Sequence, residues 1–350
     1  MTLFRECFRH LGSIERRRIP PIPREAMRLH RLERPEPWPS EVVEAMRAGP
    51  PDNWYPDYAA FYRRLSAFTG VPEERMVVGA GIEDFIRTLV MLCCEPADGF
   101  AFTWPTCAMF DIYAQVFLAR PVRIVTDPKR LLSVHDVTDK IDSGVKLLIL
   151  PNPGQPVETY FCLAELRHIA QRCASVGAVF AIDEAYLGFG AETALPLVDD
   201  FENVVILRTF SKAFGGAALR VGYAIGQPSV IRPLHAIRES GEIAGPSING
   251  AVALMDKWSR WVEPGIAMVC EGRDWLRDTL LRDGYDARGW FANHVMVRLD
   301  EPAAPFAERM RKRGAHVKAG FPAPLDGSLL ITGGSVTLMQ RFYRAFQEAL

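Results

Sequence analysis

The sequence predicts an α/β protein: a mainly parallel seven-stranded sheet with helices on both faces, followed by a smaller α+β domain. Two observations predict it. Seven short apolar runs alternate with helix-like stretches between about Ser40 and Ser229, and a different pattern of long helices and short strands follows. A chain of 350 residues, 49% of them hydrophobic, is long enough to bury the core that two coupled domains need.

From Glu15 to Arg34 there are seven Arg, and Pro20, Pro21, Pro23, Pro35, Pro37 and Pro39 are closely spaced. Prolines that dense exclude a regular helix and favour extended chain. Residues 1–40 therefore read either as an arm lying over another surface, such as a partner subunit, or as a loosely ordered terminus. Residues 41–235 form the expected large domain. Its apolar runs are Met76–Val78, Phe100–Thr103, Val122–Thr126, Lys146–Leu150, Val179–Asp183, Val204–Thr209 and Val221–Ile225, with periodic stretches such as Glu83–Cys93, Cys107–Phe117 and Leu163–Ser175 between them. Apolar strands alternating with helices predict a parallel sheet covered on both faces, and ligands in such sheets sit at the carboxyl ends of the strands. Residues 236–350 form the expected small domain. Helical segments run through Arg282. Strand-like Val295–Leu299, a helix near Pro305–Arg313, and short strands around His316–Lys318 and Leu329–Thr332 follow. A final helix from Thr337 carries Leu338, Phe342, Phe346 and Leu350 at four-residue steps.

Composition excludes several classes. Lys plus Arg number 41 and Asp plus Glu 42, giving a net charge of -1, without the basic excess of a nucleic-acid binder. The first 40 residues carry no helix-turn-helix pattern, which argues against a regulator that would use the rest as a ligand sensor. No apolar run approaches a membrane span, and the N-terminus has no apolar stretch typical of a secretory signal. The seven Cys include no C-x-x-C, so neither a zinc site nor a disulfide framework is indicated. The expectation is a reduced, cytoplasmic protein with no nucleic-acid or membrane partner.

Four stretches carry chemistry. In Arg208–Tyr223 a strand ends at Thr209, Ser211 and Lys212 follow, then two glycines and Arg220. A lysine at the mouth of a parallel sheet, beside hydroxyls and a second cation, suits an anion site. It also suits a Schiff base, because partial burial and a nearby cation free the amine's lone pair. In Ala181–Phe189 an apolar strand delivers Asp183, suited either to hold a ring nitrogen protonated or to cap a helix, and Tyr186 follows three residues on. In Leu148–Pro156 another strand ends at Asn152 in a Pro-rich turn. In Val77–Asp84 a Gly turn precedes a helix start, where backbone N–H groups bind phosphate, although no G-x-G-x-x-G or Walker pattern is present.

Together these residues fall at strand ends of one sheet. The sequence resembles the pyridoxal 5'-phosphate (PLP) aminotransferases of fold type I, most closely the histidinol-phosphate aminotransferase-like branch, from about Leu29 to the end. In that resemblance Lys212 matches the Schiff-base lysine and Arg220 the phosphate-binding arginine. Asp183 matches the aspartate on the pyridine nitrogen, and Tyr186 and Asn152 match the residues on the phenolic oxygen. Ile82 and Glu83 match the phosphate cradle, and Thr209 and Ser211 the hydroxyls near the phosphate. Tyr55 matches a tyrosine that reaches the partner subunit's phosphate, which implies a homodimer with shared active sites.

The departures concern the substrate. Cys107 holds the position of the ring expected over the cofactor, with Trp104 and Phe110 as other sources of one. Leu330 replaces the arginine that grips the substrate carboxylate, and Arg34 and Lys318 are candidates to supply the missing cation. The resemblance implies a PLP-dependent transferase that passes an amino acid or amine through a quinonoid intermediate, with transamination as the leading reaction. The alternative is a specialised decarboxylase, lyase or carbon–carbon bond-forming enzyme, because the carboxylate grip is gone.

Overall fold

The computed structural model describes residues 22–49, 53–127, 130–238 and 243–350. Residues 1–21 of the expected arm lie outside the described residues. In chain order the strands among them are β1 (Met27–Leu29), β2 (Met76–Gly79), β3 (Gly99–Trp104), β4 (Arg120–Val125), β5 (Val145–Pro151) and β6 (Val179–Asp183). They continue with β7 (Val204–Thr209), β8 (Gly222–Gly226), β9 (Asp286–Arg288), β10 (His294–Arg298), β11 (Ala315–Val317) and β12 (Ser328–Thr332).

The large sheet has seven strands in the order β2-β8-β7-β6-β5-β3-β4. Strands β4, β3, β5, β6 and β7 run parallel, and β8 is antiparallel to both of its neighbours. Alternation along each strand loads both faces. Leu148, Leu150, Phe180, Ile182 and Ile206 face one layer, where Leu166 and Ile169 of the helix Leu163–Ser175 pack. Leu147, Ile149, Ala181, Val205 and Leu207 face the other, against Phe85, Ile86 and Leu89 of the helix Ile82–Cys93. Burial on both faces explains why these strands read as continuous apolar runs.

The C-terminal part has its own core. The antiparallel sheet β12-β10-β9 packs with the helices Glu263–Arg282, Ala303–Lys312 and Val336–Ala349 around Leu276, Val295, Phe306, Phe342 and Phe346. Two expectations change here. Residues 27–29 of the expected arm form β1, which pairs in parallel with β11 and buries Met27 and Leu29 in this same core. The stripe on the last helix stops at Phe346: the helix ends at Ala349, and Leu350 is 67% exposed. Among the described residues no helix is long and apolar enough to cross a membrane.

Candidate active site

The carboxyl end of β7 and the turn after β6 open onto a cleft of about 730 Å³ whose lining includes Arg31, Glu33, Ile82, Glu83, Lys212 and Arg220. Chain geometry delivers Lys212. Strand β7 ends at Thr209, and Phe210, fully buried, anchors the turn that follows. The Thr209 hydroxyl accepts the Ser211 N–H at 3.1 Å and lies 3.0 Å from the Ser211 hydroxyl, so both oxygens meet at the cleft floor. Lys212 Nζ donates to the Arg31 carbonyl at 3.1 Å and lies 5.9 Å from the Tyr186 ring centre. Burial lowers its pKa to about 8; Glu33 and Asp183 oppose the shift and Lys318 adds to it.

Asp183 ends β6. Its carboxylate accepts one backbone N–H, from Ala185 at 2.9 Å, and takes part in no ion pair within 4 Å among the described residues. Burial raises its pKa to about 6, against the Ala185 N–H and Lys212, which lower it. Tyr186 is 4% exposed, and burial first, then Asp183 and Cys107, push its phenol upward.

A second group forms the anion side. Gly81 has φ +88°, and a Cβ there would stand 3.0 Å from an Arg220 nitrogen; a Cβ at Gly222 would stand 2.8 Å from the Gly81 Cα. Glycine at both positions lets Arg220 approach the start of the helix Ile82–Cys93, whose N-terminus carries no side-chain cap. Among the described residues, Ile82 and Glu83 thus present free N–H groups beside a guanidinium that is held only by the Ala80 and Ala217 carbonyls, at 3.5 and 3.3 Å.

These residues fit the cofactor that the resemblance implies. A buried carboxylate with a single hydrogen bond suits a protonated ring nitrogen. An uncapped helix start with glycine clearance and an arginine suits a phosphate.

The other expected residues divide. Asn152 is buried where β5 ends, but its side chain bonds the Phe161 backbone in both directions, at 2.8 and 3.0 Å. The amide pins the 152–161 loop and keeps one hydrogen over. Cys107 lies open, with its thiol pushed up mainly by burial among protein atoms. Phe110 is 1% exposed in the core and supplies no ring to the cleft. Trp104 is half-buried, with the Arg123 guanidinium 5.9 Å from its ring centre. Tyr55 is 91% exposed, outside the cleft lining.

Of the candidate cations, Arg34 stacks on Trp38 at 4.0 Å and fills the space over Gly265, with its Nε buried and unpaired. Lys318 forms a two-way backbone bridge with Leu330, at 3.1 and 2.8 Å, and its amine sits 5.4 Å from the Phe321 ring centre. Burial lowers its pKa.

Sequence reasoning missed two residues here, Glu33 and His294, and left Arg31, one of several arginines able to supply a second cationic site, without a place. Arg31 and Glu33 lie on the cleft through their place on the segment that follows β1, and His294 lies edge-on to Tyr186. Glu33 stands next to Arg34 in the stretch already singled out, so its charge was visible; nothing local marked His294.

A family model described as "Aminotransferase class I and II" matches residues 32–345. A histidinol-phosphate aminotransferase of Symbiobacterium thermophilum is 29% identical over 332 residues, covering 93% of this chain and 91% of that protein. An aromatic amino acid aminotransferase of Nocardia farcinica is 29% identical over 306 residues, covering 85% and 84%. The crystal structure of a histidinol-phosphate aminotransferase from Sinorhizobium meliloti, in complex with pyridoxal-5'-phosphate, superposes with a TM-score of 0.82 at 21% identity, covering 92% of this chain and 90% of that one.

Proposed function

Since the chain belongs to the class I and II aminotransferase family, we propose that this PLP-dependent aminotransferase holds its cofactor covalently through Lys212 and acts on an amino acid or amine that carries an anionic group. The observation that carries the reading is the Lys212 amine, at the end of a parallel strand, between the buried Asp183 carboxylate and the Arg220–helix anion site. Bound there, the cofactor supplies an electron sink for a carbanion at the substrate Cα.

The chain's own residues do the rest. Lys212, with its pKa lowered to about 8, offers a neutral amine to an aldehyde near neutral pH and, once released, takes and returns the Cα proton at Nζ. Asp183 holds the ring nitrogen's proton, and the Tyr186 phenol meets the ring oxygen. Arg220, the N–H groups of Ile82 and Glu83, and the hydroxyls of Thr209 and Ser211 hold the phosphate. The second amide hydrogen of Asn152 supports its expected place at the ring oxygen.

Lys318 meets the substrate anion, because its backbone bridge sets it beside Leu330, the residue that replaces the expected arginine. Arg34, stacked on Trp38, is the weaker candidate. Cys107, close enough to Asp183, Tyr186 and Lys212 to act on their charges, would line the cofactor site but offers no ring to stack on it.

Tyr55 at 91% exposure and Trp54 at 71% support a homodimer in which Tyr55 reaches the partner subunit's site. Separate cores support two domains, but the helix Gly245–Asp256 packs Ile248, Ala251 and Leu254 into the first core, which favours a boundary nearer residue 262 than the expected division into 41–235 and 236–350. The unpaired cysteines support a reducing, cytoplasmic setting. The matched family and the named relatives are aminotransferases, so the decarboxylase, lyase or carbon–carbon bond-forming alternative is not favoured.

The test is the visible absorbance of the purified protein incubated with PLP, before and after borohydride. The expected result is a band lost on reduction, a pyridoxyl adduct mapped by mass spectrometry to Lys212, and no band in Lys212→Ala. A wild-type protein that takes up no cofactor, or an adduct on another lysine, would overturn the reading.

A further inference from the structure

His294 opens β10 opposite Thr332 of β12 and is fully buried. Neither of its ring nitrogens has a hydrogen-bond partner among the described residues. An unpaired buried donor or acceptor costs stability, and a phenyl ring in the same space would carry no such cost. An imidazole at this position therefore calls for a reason beyond packing.

Its surroundings supply one. The imidazole meets the Tyr186 ring edge-on, centres 5.4 Å apart at 72°. Lys212 Nζ approaches the same Tyr186 ring, 5.9 Å from its centre. The neighbours of His294 hold the segment that touches Lys212: Thr332 accepts the Leu32 N–H at 3.0 Å, Asn293 donates to the Leu32 carbonyl at 3.0 Å, and the adjacent Arg31 carbonyl receives Lys212. The charged groups that act on the imidazole are all cations, Lys318, Lys212 and Arg273. They and burial, the larger effect, hold its pKa down to about 3, so the ring is neutral at any working pH. A neutral imidazole has one bare nitrogen and one N–H. A field of three cations favours the tautomer whose bare nitrogen faces them.

We propose that His294 is a positioning residue that holds the Tyr186 phenol edge-on and, through its bare nitrogen, stabilises positive charge at the cofactor-bearing nitrogen of Lys212. The inference rests on the reading that Lys212 carries the cofactor. His294 touches no reacting atom and is not a catalytic residue.

The test is a pH titration of the visible absorbance of the holoenzyme, which reports protonation at the Lys212 nitrogen. His294→Phe keeps the ring and removes both nitrogens; His294→Asn keeps a polar acceptor. The expected midpoint for His294→Phe falls by about half a pH unit or more, roughly a threefold loss of proton affinity, while His294→Asn stays nearer the wild type. His294→Met serves as the apolar variant if His294→Phe does not fold. Apolar variants that titrate with the wild-type midpoint, or an Asn variant shifted as far as the apolar ones, would overturn the proposal with the cofactor reading intact. A wild-type protein with no visible band overturns both.

Discussion

The lowered pKa of Lys212 makes a kinetic prediction. Burial brings the amine from 10.5 to about 8. At pH 7 a group with a pKa of about 8 is neutral in roughly one molecule in ten, and one left at 10.5 in about one in three thousand, so the fold enriches the reactive amine ~300-fold. Only the neutral amine attacks an aldehyde. The rate at which cofactor-free protein captures PLP is therefore expected to rise about tenfold per pH unit and level off near pH 8. Glu33 is the largest influence that raises this pKa, so Glu33→Gln moves the levelling point to lower pH; Lys318 lowers it, so Lys318→Met moves the point upward. The assay is stopped-flow absorbance after mixing the cofactor-free protein with PLP, from about pH 5 to 10. A rate that climbs without a break through pH 10, as for an exposed lysine, would refute the reasoning, and so would a break that Glu33→Gln leaves in place.

Four further outcomes are expected. Asp183 titrates at about 6 in the folded chain against 3.8 for the ordinary carboxyl, so its contribution to stability is largest at low pH and falls as pH rises through that window. A cationic ring nitrogen offsets that loss, and PLP raises the melting temperature more at pH 7 than at pH 5, as thermal melts will show. Arg220→Gln removes a charge-assisted phosphate contact and weakens PLP by about 2–3 kcal/mol, roughly 30- to 150-fold, while the affinity for phosphate-free pyridoxal holds; paired binding titrations separate the two. Lys318→Met raises KM for the substrate about tenfold or more with the affinity for PLP retained, checked by steady-state kinetics. Glu158 is buried, and its carboxylate accepts three consecutive backbone N–H groups, from Trp290, Phe291 and Ala292 at 2.6, 2.9 and 2.7 Å. Glu158→Gln sets an amide donor against those donors and lowers stability by about 3–5 kcal/mol, followed by denaturant unfolding through tryptophan fluorescence.

The parallel strands β3, β5, β6 and β7 were legible because they are largely buried on both faces, whereas the edge strand β4 is mostly exposed, and the carboxyl ends of β5, β6 and β7 marked the site. Asn152, Asp183 and Thr209–Lys212 follow directly from where β5, β6 and β7 stop. Strand β1 was not legible, because three residues in an Arg- and Pro-rich stretch become a strand only by pairing with β11, far along the chain. Phe110 follows the turn at Pro105, which made it a candidate ring, but its place on the amphipathic helix Met109–Val116 turns it into the core. The bonds that occupy Asn152 come from Phe161, across a loop whose path the local sequence does not specify.

The same difficulty hid the electrostatics, because a residue's charge is local and its burial is not. Lys212, Lys318 and His294 are all pushed toward their neutral forms by burial, and so is Asp183. Groups of both signs are present, yet they do not form the close ion pair that would cancel the shifts; Lys212 gives its hydrogen bond to a carbonyl instead. A cluster that only stabilised the fold would be expected to pair its charges, as Glu184 and Arg208 do nearby at 2.9 Å. Shifted, unpaired groups converging on one cleft are the signature of a site that works on a ligand. On the proposed function, the ligand that completes this one would bring an anion to Arg220, a cation to Asp183 and an electrophile to Lys212.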